Sequence, residues 1–233
     1  MKVLSVIFAR AGSKGVRNKC VSKINGKMVA EYSIEYSLAL GNNVKTVVST
    51  DIDSLIDYCK NNNIEYIRRD SEFCKDEVPL DGAVADAIER TGANYEYFNL
   101  VYGNIATRYT SLFYEALNFL EEYKDYDAAI SMQNVEKYNP MWMFDYNKTI
   151  LPEGHKCQYR RQDLPQKMIH DGHTFLFRID KFINRYRHTN PYKFVHMYSI
   201  YGDKFKPLIN NEVIVDIDTE KDLKLAESVI LHS

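Results

Sequence analysis

The chain has 233 residues, of which 45% are hydrophobic and 27% charged, and its formal net charge is −2 at pH 7. This length allows one large or two small domains with a hydrophobic core. The charge balance argues against broad nucleic-acid binding, because surfaces that follow a phosphate backbone usually make the whole domain basic. No run reaches the ~18 apolar residues of a membrane span, and no secretory signal is recognisable. We therefore expect a cytoplasmic protein that binds neither nucleic acid nor membrane.

The cysteines are too dispersed to indicate a metal site or a disulfide framework. There are four of them, and none forms a C-x-x-C pair: Cys20, Cys59, Cys74 and Cys157. Zinc ribbons and disulfide-stabilised scaffolds require closely spaced cysteines in recognisable patterns. The sequence therefore predicts free thiols.

Strand-like and helix-like segments alternate along the first 132 residues. Apolar and β-branched runs predict strands over 2–8, 45–50, 65–67, 98–102 and 128–132. Apolar residues at helical spacing predict helices over 28–40, 53–61, 81–90 and 111–123, and a further helix over 220–230. This alternation is typical of an α/β fold with a mainly parallel sheet flanked by helices on both faces.

The alternation ends near Asn139 and Pro140, where an aromatic and methionine-rich segment begins (141–144). The following residues, up to about 201, are rich in polar and aromatic side chains and do not resemble another βα unit. We predict a core over 1–138, an insertion over 139–200 and a return to the core over 201–233. The insertion is expected to cover the site, to pair with a second subunit, or both.

The turn after the first predicted strand has the composition of a polyphosphate cradle. Glycines allow backbone N–H groups to approach phosphate oxygens, and cationic side chains neutralise the phosphate charge. The turn contains two glycines and four cations: Gly12, Gly15, Arg10, Lys14, Arg17 and Lys19. Neither a Walker A loop nor G-x-G-x-x-G is present. A nucleoside triphosphate is the expected ligand, and a solvated basic turn is the alternative.

In parallel sheets, ligands bind at the carboxyl ends of the strands. This rule places the cationic turn, Asp51 and the segment after Tyr102 around one crevice. Asp216 and Asp218 are two residues apart, so on an extended segment their carboxylates would point the same way. Mg²⁺ prefers such oxygen ligands and commonly bridges carboxylates and substrate phosphates. A helix N-cap formed by Asp218 or Thr219 is the alternative, and the two roles are compatible.

Four sequence blocks, in the same order, resemble the cytidylyltransferases that activate sialic acid and related sugar acids. They are residues 9–19, 47–51 (Val-Val-Ser-Thr-Asp), 161–165 (Arg-Gln-Asp-Leu-Pro) and 216–223 (Asp-Ile-Asp-Thr-Glu-Lys-Asp-Leu). The resemblance implies a Rossmann-like nucleotidyltransferase with a small inserted dimerisation or lid segment. It also implies Mg²⁺-dependent transfer of CMP from CTP to a nonulosonic sugar acid, release of pyrophosphate, and a homodimer.

The resemblance also assigns roles to individual residues. Arg10, Lys19 and Asp218 would be catalytic, and Lys14 would stabilise the leaving pyrophosphate. The nucleotide would be bound by Ala9, Arg10, Gly12, Ser13, Lys14, Lys19, Asp76 and Arg108. The acceptor would be bound by Tyr102, Asn104, Arg161, Gln162 and Asp171. The metal would be held by Asp216 and Asp218.

Several residues depart from the family pattern. Cys20 stands where the family has an asparagine, and the stretch 100–108 keeps only Leu100 and Arg108 unchanged. Asp171, followed by Gly172 and His173, replaces the family's asparagine before the glycine, which indicates an altered acceptor. Arg161 could instead form a surface salt bridge, Tyr102 could serve packing, and His173 receives no catalytic role. Two further readings therefore stay open: a different acceptor or nucleotide, and a catalytically inactive nucleotide-binding regulator.

Overall fold

The computed structural model describes residues 3–12, 18–75, 77–92, 95–143, 160–188 and 197–232. Within these ranges the strands are β1 (Val3–Ala9), β2 (Lys23–Ile24), β3 (Lys27–Met28), β4 (Val44–Thr50), β5 (Glu65–Arg68), β6 (Tyr97–Tyr102), β7 (Ala128–Asn134), β8 (Met168–Arg178) and β9 (Phe205–Ile209). The α-helices are α1 (Val29–Ala39), α2 (Asp53–Asn61), α3 (Leu80–Thr91), α4 (Ser111–Glu122), α5 (Ile179–His188), α6 (Tyr198–Tyr201) and α7 (Glu220–His232). No helix in these ranges combines the length and apolar character needed to cross a membrane.

Seven strands form one sheet in the order β5-β4-β1-β6-β8-β7-β9, and β2 and β3 form a separate hairpin. β8 runs antiparallel to its neighbours β6 and β7, whereas the other adjacent strands are parallel. The predicted α/β class with a mainly parallel sheet is therefore confirmed.

The sheet carries a core on each face because alternate side chains of a strand point to opposite sides. Every residue of β1 is buried. Its odd-numbered apolar residues, including Val3 and Ile7, pack with α1, α2 and α4. Its even-numbered residues, including Leu4 and Phe8, pack with α3, α5 and α6. A strand buried on both faces reads as a continuous apolar run, which is the pattern that identified it in the sequence.

One part of the predicted insertion belongs to the core. β8, within 139–200, lies in the middle of the sheet between β6 and β7. The prediction failed there because polar residues after the first two positions of β8, among them His170, Asp171 and His173, interrupt the apolar pattern. The remaining boundaries at 138 and 200, and the roles given to each part, stay predictions.

The parallel strands end at one edge of the sheet, which we call the carboxyl edge. β1 ends there at Ala9 and β6 at Tyr102, and the next residue, Gly103, donates its N–H to the Phe8 carbonyl at 2.9 Å. A Cβ on Gly103 would lie 2.9 Å from the Ala9 Cβ and 3.0 Å from the Phe8 oxygen. Only glycine therefore allows the end of β6 to approach the end of β1 so closely.

Candidate active site

Two contacts fix the start of the cationic turn at the carboxyl edge. Arg10 donates from Nη1 to the Cys74 carbonyl at 2.7 Å, and the Ala11 N–H donates to Asp51 Oδ1 at 2.7 Å. Asp51, directly after β4, thus holds the turn that follows β1. Gly12 is exposed and has a φ of +78°, a conformation that favours glycine. The predicted nucleotide contacts Ser13, Lys14 and Asp76 lie outside the described residues.

Lys19 and Asp218 meet across the chain. The Lys19 ammonium lies 2.5 Å from Asp218 Oδ1, although the two residues are 199 positions apart. The Lys19 side chain is 20% exposed and that of Asp218 67%. Lys19 of the cationic turn and Asp218 of the late acidic pair therefore lie side by side, as expected. The shared triphosphate cleft stays a prediction. The catalytic roles given to Arg10, Lys19 and Asp218 stay predictions.

The acidic pair lies on an extended segment, as its spacing predicted. Val215 and Ile217 are buried, whereas Asp216 and Asp218 face the solvent side. Asp216 pairs in an isolated antiparallel bridge with Ile105, and its Oδ1 accepts a hydrogen bond from the Asn104 amide. Desolvation by the surrounding protein, and then the negative charge of Asp218, raise the pKa of Asp216. The two carboxylates therefore interact electrostatically with each other.

The helix cap that the sequence offered as the alternative is present, and it is formed by Thr219, one of the two residues named for it. Asp222 donates its N–H to the Thr219 hydroxyl at 3.3 Å, and Thr219 donates its own N–H to Asp222 Oδ2 at 2.7 Å. This reciprocal pair is a capping box for α7. Asp218 precedes the cap, so its carboxylate is available to Lys19.

Asp216 and Asp218 fit a hard divalent cation. Among the described residues, no group of three or more histidine, cysteine or acidic side chains could enclose a metal. Mg²⁺ needs no such cage, because it usually keeps several waters and uses one or two carboxylates plus substrate phosphates. The mutual repulsion that raises the pKa of Asp216 would be relieved by a cation between the two.

Arg108 connects β8 and β6 through hydrogen bonds to their backbone carbonyls. Its Nη2 donates to the Tyr102 carbonyl at 2.8 Å, and its Nη1 donates to the carbonyl of His173. The guanidinium carbon lies 5.5 Å from the centre of the Tyr36 ring. Burial lowers the pKa of Arg108 to about 10, so the side chain stays charged at neutral pH. The observed partners of Arg108 lie on β6, β8 and α1. Its contact with the nucleotide stays a prediction.

Asp171 connects neighbouring segments of the protein through hydrogen bonds to both of its carboxylate oxygens. Its Oδ1 accepts hydrogen bonds from the Ser131 hydroxyl at 2.5 Å and the His173 N–H at 2.9 Å. Its Oδ2 accepts one from the Asn210 amide at 2.5 Å. These donors belong to β7, β8 and the segment after β9. Both carboxylate oxygens of Asp171 are thus engaged within the protein, and its contact with the acceptor stays a prediction.

His173 is a buried neutral residue. Its Nε2 accepts a hydrogen bond from the Tyr109 N–H at 3.1 Å, so Nδ1 carries the proton and donates to the Thr174 hydroxyl at 2.7 Å. The side chain is fully buried, and burial together with the charge of Arg108 lowers its pKa to about 2. A ring that stays neutral at physiological pH cannot act as a general acid there. The sequence assigned His173 no catalytic role, and no observation tests that assignment.

The neutral His173 should make the fold acid-sensitive. In the unfolded chain the imidazole has a pKa of 6.5 and gains a proton that the folded state excludes. The unfolded state therefore gains protons as pH falls, and stability decreases by about 1 kcal/mol between pH 6.5 and 5.5 from this group. Urea unfolding of His173→Gln at both pH values should lack this share of the decrease. Exposed His188→Gln serves as the control and should retain it. Equal pH dependence in His173→Gln and the parent would contradict the assignment.

Arg161 and Gln162 lie at the surface beyond β7. Arg161 donates to Glu136 at 3.1 Å, and the side chains of Arg161 and Glu136 are each 63% exposed. Arg161 borders a shallow pocket of about 180 Å³ together with Asn134, Asn139 and Leu164. The surface salt bridge raised as the alternative is present. Acceptor binding by Arg161 and Gln162 stays a prediction.

Tyr102 ends β6 and is partly buried at the carboxyl edge. Its hydroxyl donates to the Met197 sulfur at 3.5 Å, and its ring contacts Phe175 edge-on. Burial, followed by nearby negative groups, raises its pKa. One of these groups, Asp81 in the first turn of α3, was missed by sequence reasoning. A single acidic residue in a first turn is the usual complement of the helix dipole, so the sequence offered no signal.

Comparison with known proteins identifies the family. A sequence model described as cytidylyltransferase matches residues 4–229. The N-acylneuraminate cytidylyltransferase of Escherichia coli O18:K1:H7 is 23% identical over 230 residues, which are 98% of this chain and 52% of that protein. The N-acylneuraminate cytidylyltransferase of Streptococcus agalactiae serotype V is 27% identical over 180 residues, 76% of this chain and 43% of that protein. The chain thus spans about half the length of these relatives.

Two solved structures share the fold. A CMP:2-keto-3-deoxy-manno-octonic acid synthetase complexed with CTP has a TM-score of 0.74 at 14% identity, covering 100% of this chain and 99% of its own. A 4-diphosphocytidyl-2C-methyl-D-erythritol synthase from Anaerococcus prevotii has a TM-score of 0.67 at 14% identity, covering 99% and 96%. These likenesses establish the architecture, and the sequence match extends over nearly every element that builds the cleft. The chain therefore belongs to the cytidylyltransferase family.

Proposed function

We propose that the protein transfers CMP from CTP to a nonulosonic, sialic-acid-like sugar acid, with Mg²⁺ and with release of pyrophosphate. The observation that carries the proposal is the contact between Lys19 and Asp218 at the carboxyl edge. It joins a phosphate-binding turn to a pair of metal-binding carboxylates in a chain of the cytidylyltransferase family. A passive nucleotide binder has no need of that combination.

In the proposed reaction, the anomeric hydroxyl oxygen of the acceptor attacks the α-phosphorus of CTP. The bond from that phosphorus to the pyrophosphate oxygen breaks, the hydroxyl proton is released, and a CMP ester is formed. Arg10 and Lys19 neutralise phosphate charge, which is the main contribution of proteins to phosphoryl transfer. Lys14 is assigned to the leaving pyrophosphate. The Asn104 amide orients the Asp216 carboxylate.

Asp216 and Asp218 would hold Mg²⁺, which when bound polarises phosphate oxygens and offsets their charge. In the observed arrangement, Asp218 and Lys19 satisfy each other. Substrate offers each of them a new partner: a phosphate for the ammonium and a cation for the carboxylate. The ion pair therefore keeps both side chains in the cleft until the substrate arrives, at low energetic cost because exposed pairs contribute only ~0–1 kcal/mol.

The same chemistry with another acceptor or nucleotide is the second candidate. Cys20, which replaces the family's asparagine, is buried, and burial raises the pKa of its thiol to about 11. A neutral thiol is a weak hydrogen-bond donor, so it cannot substitute for an amide in base recognition. Both Asp171 oxygens accept hydrogen bonds within the protein, which also favours an acceptor different from that of the family. Modified sugars, sugar phosphates and phosphonates therefore belong among the substrates tested.

We also propose that the protein is a homodimer. Several large apolar side chains beyond the carboxyl ends of β7 and β9 are 44–65% exposed, including Tyr138, Met141, Met143, Ile169 and Val213. Exposed apolar surface of this kind commonly marks a protein contact. A second copy of the chain is the partner implied by the family resemblance. The cytoplasmic location also stays a prediction.

The direct test is pyrophosphate release with each of the four nucleoside triphosphates and a panel of sugar acids, with and without MgCl₂. We expect release that requires a nonulosonic acid, CTP and Mg²⁺ together. Release with another acceptor class would favour the second candidate. Absence of release with every combination, accompanied by a CTP-dependent rise in melting temperature, would overturn the proposal in favour of an inactive nucleotide-binding regulator.

A further inference from the structure

Asp81 is a buried acidic residue with an unsatisfied oxygen. It is the second residue of α3, and it is 3% exposed. Its Oδ1 accepts no hydrogen bond, and no ion pair to it is found within the described part of the chain. Asp86 on the same helix lies 3.6 Å from the Arg90 guanidinium, although its Oδ2 is likewise buried without a hydrogen bond. Asp81 differs in having no ion pair among the described residues, and its Oδ1 is a buried carboxylate oxygen without a donor.

Such a residue requires an explanation, because burial of a carboxylate without a donor is strongly unfavourable. The positive end of the α3 dipole offsets only a small part of that cost. Native proteins retain buried polar groups of this kind mainly where a ligand completes them or where strain serves function. Whether a ligand can reach Asp81 depends on where the start of α3 lies relative to the proposed reaction site.

Asp81 lies at the carboxyl edge beside the proposed reaction site. The segment between β5 and α3 lies at this edge, because β5 ends there and the Cys74 carbonyl receives the Arg10 side chain. Burial is the main cause of the raised pKa of the Tyr102 hydroxyl, and the negative charges of Asp216 and Asp81 contribute to it. That hydroxyl donates only to a thioether, the Met197 sulfur at 3.5 Å, which is a weak acceptor. Asp81 and Tyr102 are thus two poorly satisfied polar groups next to the acidic pair.

We propose that Asp81 and Tyr102 together bind a hydrogen-bond-donating substituent of the acceptor, either a hydroxyl or an amine or amide N–H. This inference rests on the proposed function and adds a specificity determinant to it. The negative charge of Asp81 would also repel the carboxylate of a sugar acid. The acceptor would therefore lie with its acid group away from α3 and with a donor-bearing carbon toward Asp81. The carboxylate selects for donors and against acidic or apolar substituents at that position.

The test uses Asp81→Asn, which preserves shape while it removes the charge and one acceptor oxygen. Asp86→Asn is the matched control on the same helix. Pyrophosphate release is measured for acceptors that carry a hydroxyl, an amine or an N-acyl group at each position, and for analogues with hydrogen there. We expect Asp81→Asn to raise KM for the donor-bearing acceptors about tenfold to a hundredfold, with little change in kcat. KM for the matching deoxy analogue should be nearly unchanged, and Asp86→Asn should behave like the parent.

Two further readouts keep the test independent of folding and of turnover. Asp81→Asn without ligand should melt at a higher temperature than the parent, because an uncompensated buried charge has been removed. The rise in melting temperature caused by donor-bearing sugar acids should be smaller in Asp81→Asn than in the parent. Equal KM values and equal ligand-induced shifts in both proteins would overturn the inference. Failure of the proposed function is a separate result: no pyrophosphate release in the parent, whatever the shifts show.

Discussion

Replacing Asp218 with asparagine should lower kcat/KM for CTP by about 10²- to 10³-fold, the loss typical when one preorganised charged or polar group is removed from a reaction site. The variant keeps the shape of the side chain and its hydrogen bond to Lys19, so the loss comes from the missing negative charge. A pair of carboxylates that act on one another would then present a single charge to the divalent cation. Activity should recover in part at high MgCl₂ concentrations, because the cation affinity has fallen.

The Asp218 prediction requires evidence that the fold is intact. The contact with Lys19 is largely open to solvent on the Asp218 side, where 67% of the side chain is exposed. Exposed ion pairs contribute ~0–1 kcal/mol, so the free energy of unfolding should change by less than about 1 kcal/mol. Glu220→Gln, two residues further on at the start of α7, is the charge-matched control and should leave activity unchanged. A fully active Asp218→Asn enzyme would exclude Asp218 from catalysis.

The parts of the fold that could be predicted are those in which local pattern and final environment agree. Helix α2 matches its predicted range, 53–61, because its apolar positions recur at helical spacing and face the core. The strand predicted over 2–8 is β1, which extends one residue further, to Ala9, while residue 2 lies outside the described residues. In both elements, the apolar side chains that form the recognisable sequence pattern are also the side chains buried in the core.

The missed strands have environments that only the tertiary structure supplies. The first half of β8 is polar, and its Asp171 is satisfied by Ser131 and Asn210, which are 40 and 39 positions away. β9 contains Pro207, which usually argues against a strand. Here it is tolerated because β9 pairs only with β7 and forms the border of the sheet. Neither arrangement leaves a periodic signal in the local sequence.

The residues of the candidate site likewise fall into those that the sequence could place and those whose surroundings only the tertiary structure supplies. Lys19 and Asp218 could be placed together because each lies in a recognisable block and the ends of parallel strands meet at one edge. Arg108 keeps the family pattern and Asp171 departs from it, yet in the structure both residues form hydrogen bonds that connect β6, β7 and β8. Motif position identifies which residues gather near the cleft, but the direction of a side chain depends on the donors and acceptors around it.

The largest loss of stability is expected from Asp127, which closes a buried ion pair far from the cleft residues discussed above. Asp127 Oδ2 lies 3.1 Å from Arg185 Nη1, and the two side chains are 6% and 8% exposed. The same oxygen accepts the N–H of Asp203 at 2.8 Å and that of Lys204 at 3.3 Å. Replacement by alanine leaves the buried guanidinium without its counter-ion, although its Nε and Nη2 still donate to the Ser199 carbonyl, and it leaves two backbone N–H groups without an acceptor. This loss should cost about 3–5 kcal/mol.

A neighbouring ion pair provides the control. Asp125 and Lys204 form a salt bridge with side chains 64% and 50% exposed, so Asp125→Ala should cost less than about 1 kcal/mol. Urea unfolding of both variants at pH 7 measures the difference. If the loss in Asp127→Ala comes from the stranded charge, then Asp127→Leu combined with Arg185→Met should recover most of the stability, because apolar replacements of similar volume can match a buried pair.

Gly202 makes the environment of this ion pair unusually strict. Its φ is +75°, and an added Cβ would lie 2.5 Å from Asp127 Oδ2 and 2.8 Å from Arg185 Nη2. Steric room beside the pair is therefore as limiting as its charge, and the double variant can recover stability only if the leucine and methionine side chains fit next to Gly202. Recovery of less than about 1 kcal/mol, with Asp127→Ala unchanged in its loss, would assign the cost to packing and to the two N–H groups rather than to the uncompensated charge of Arg185.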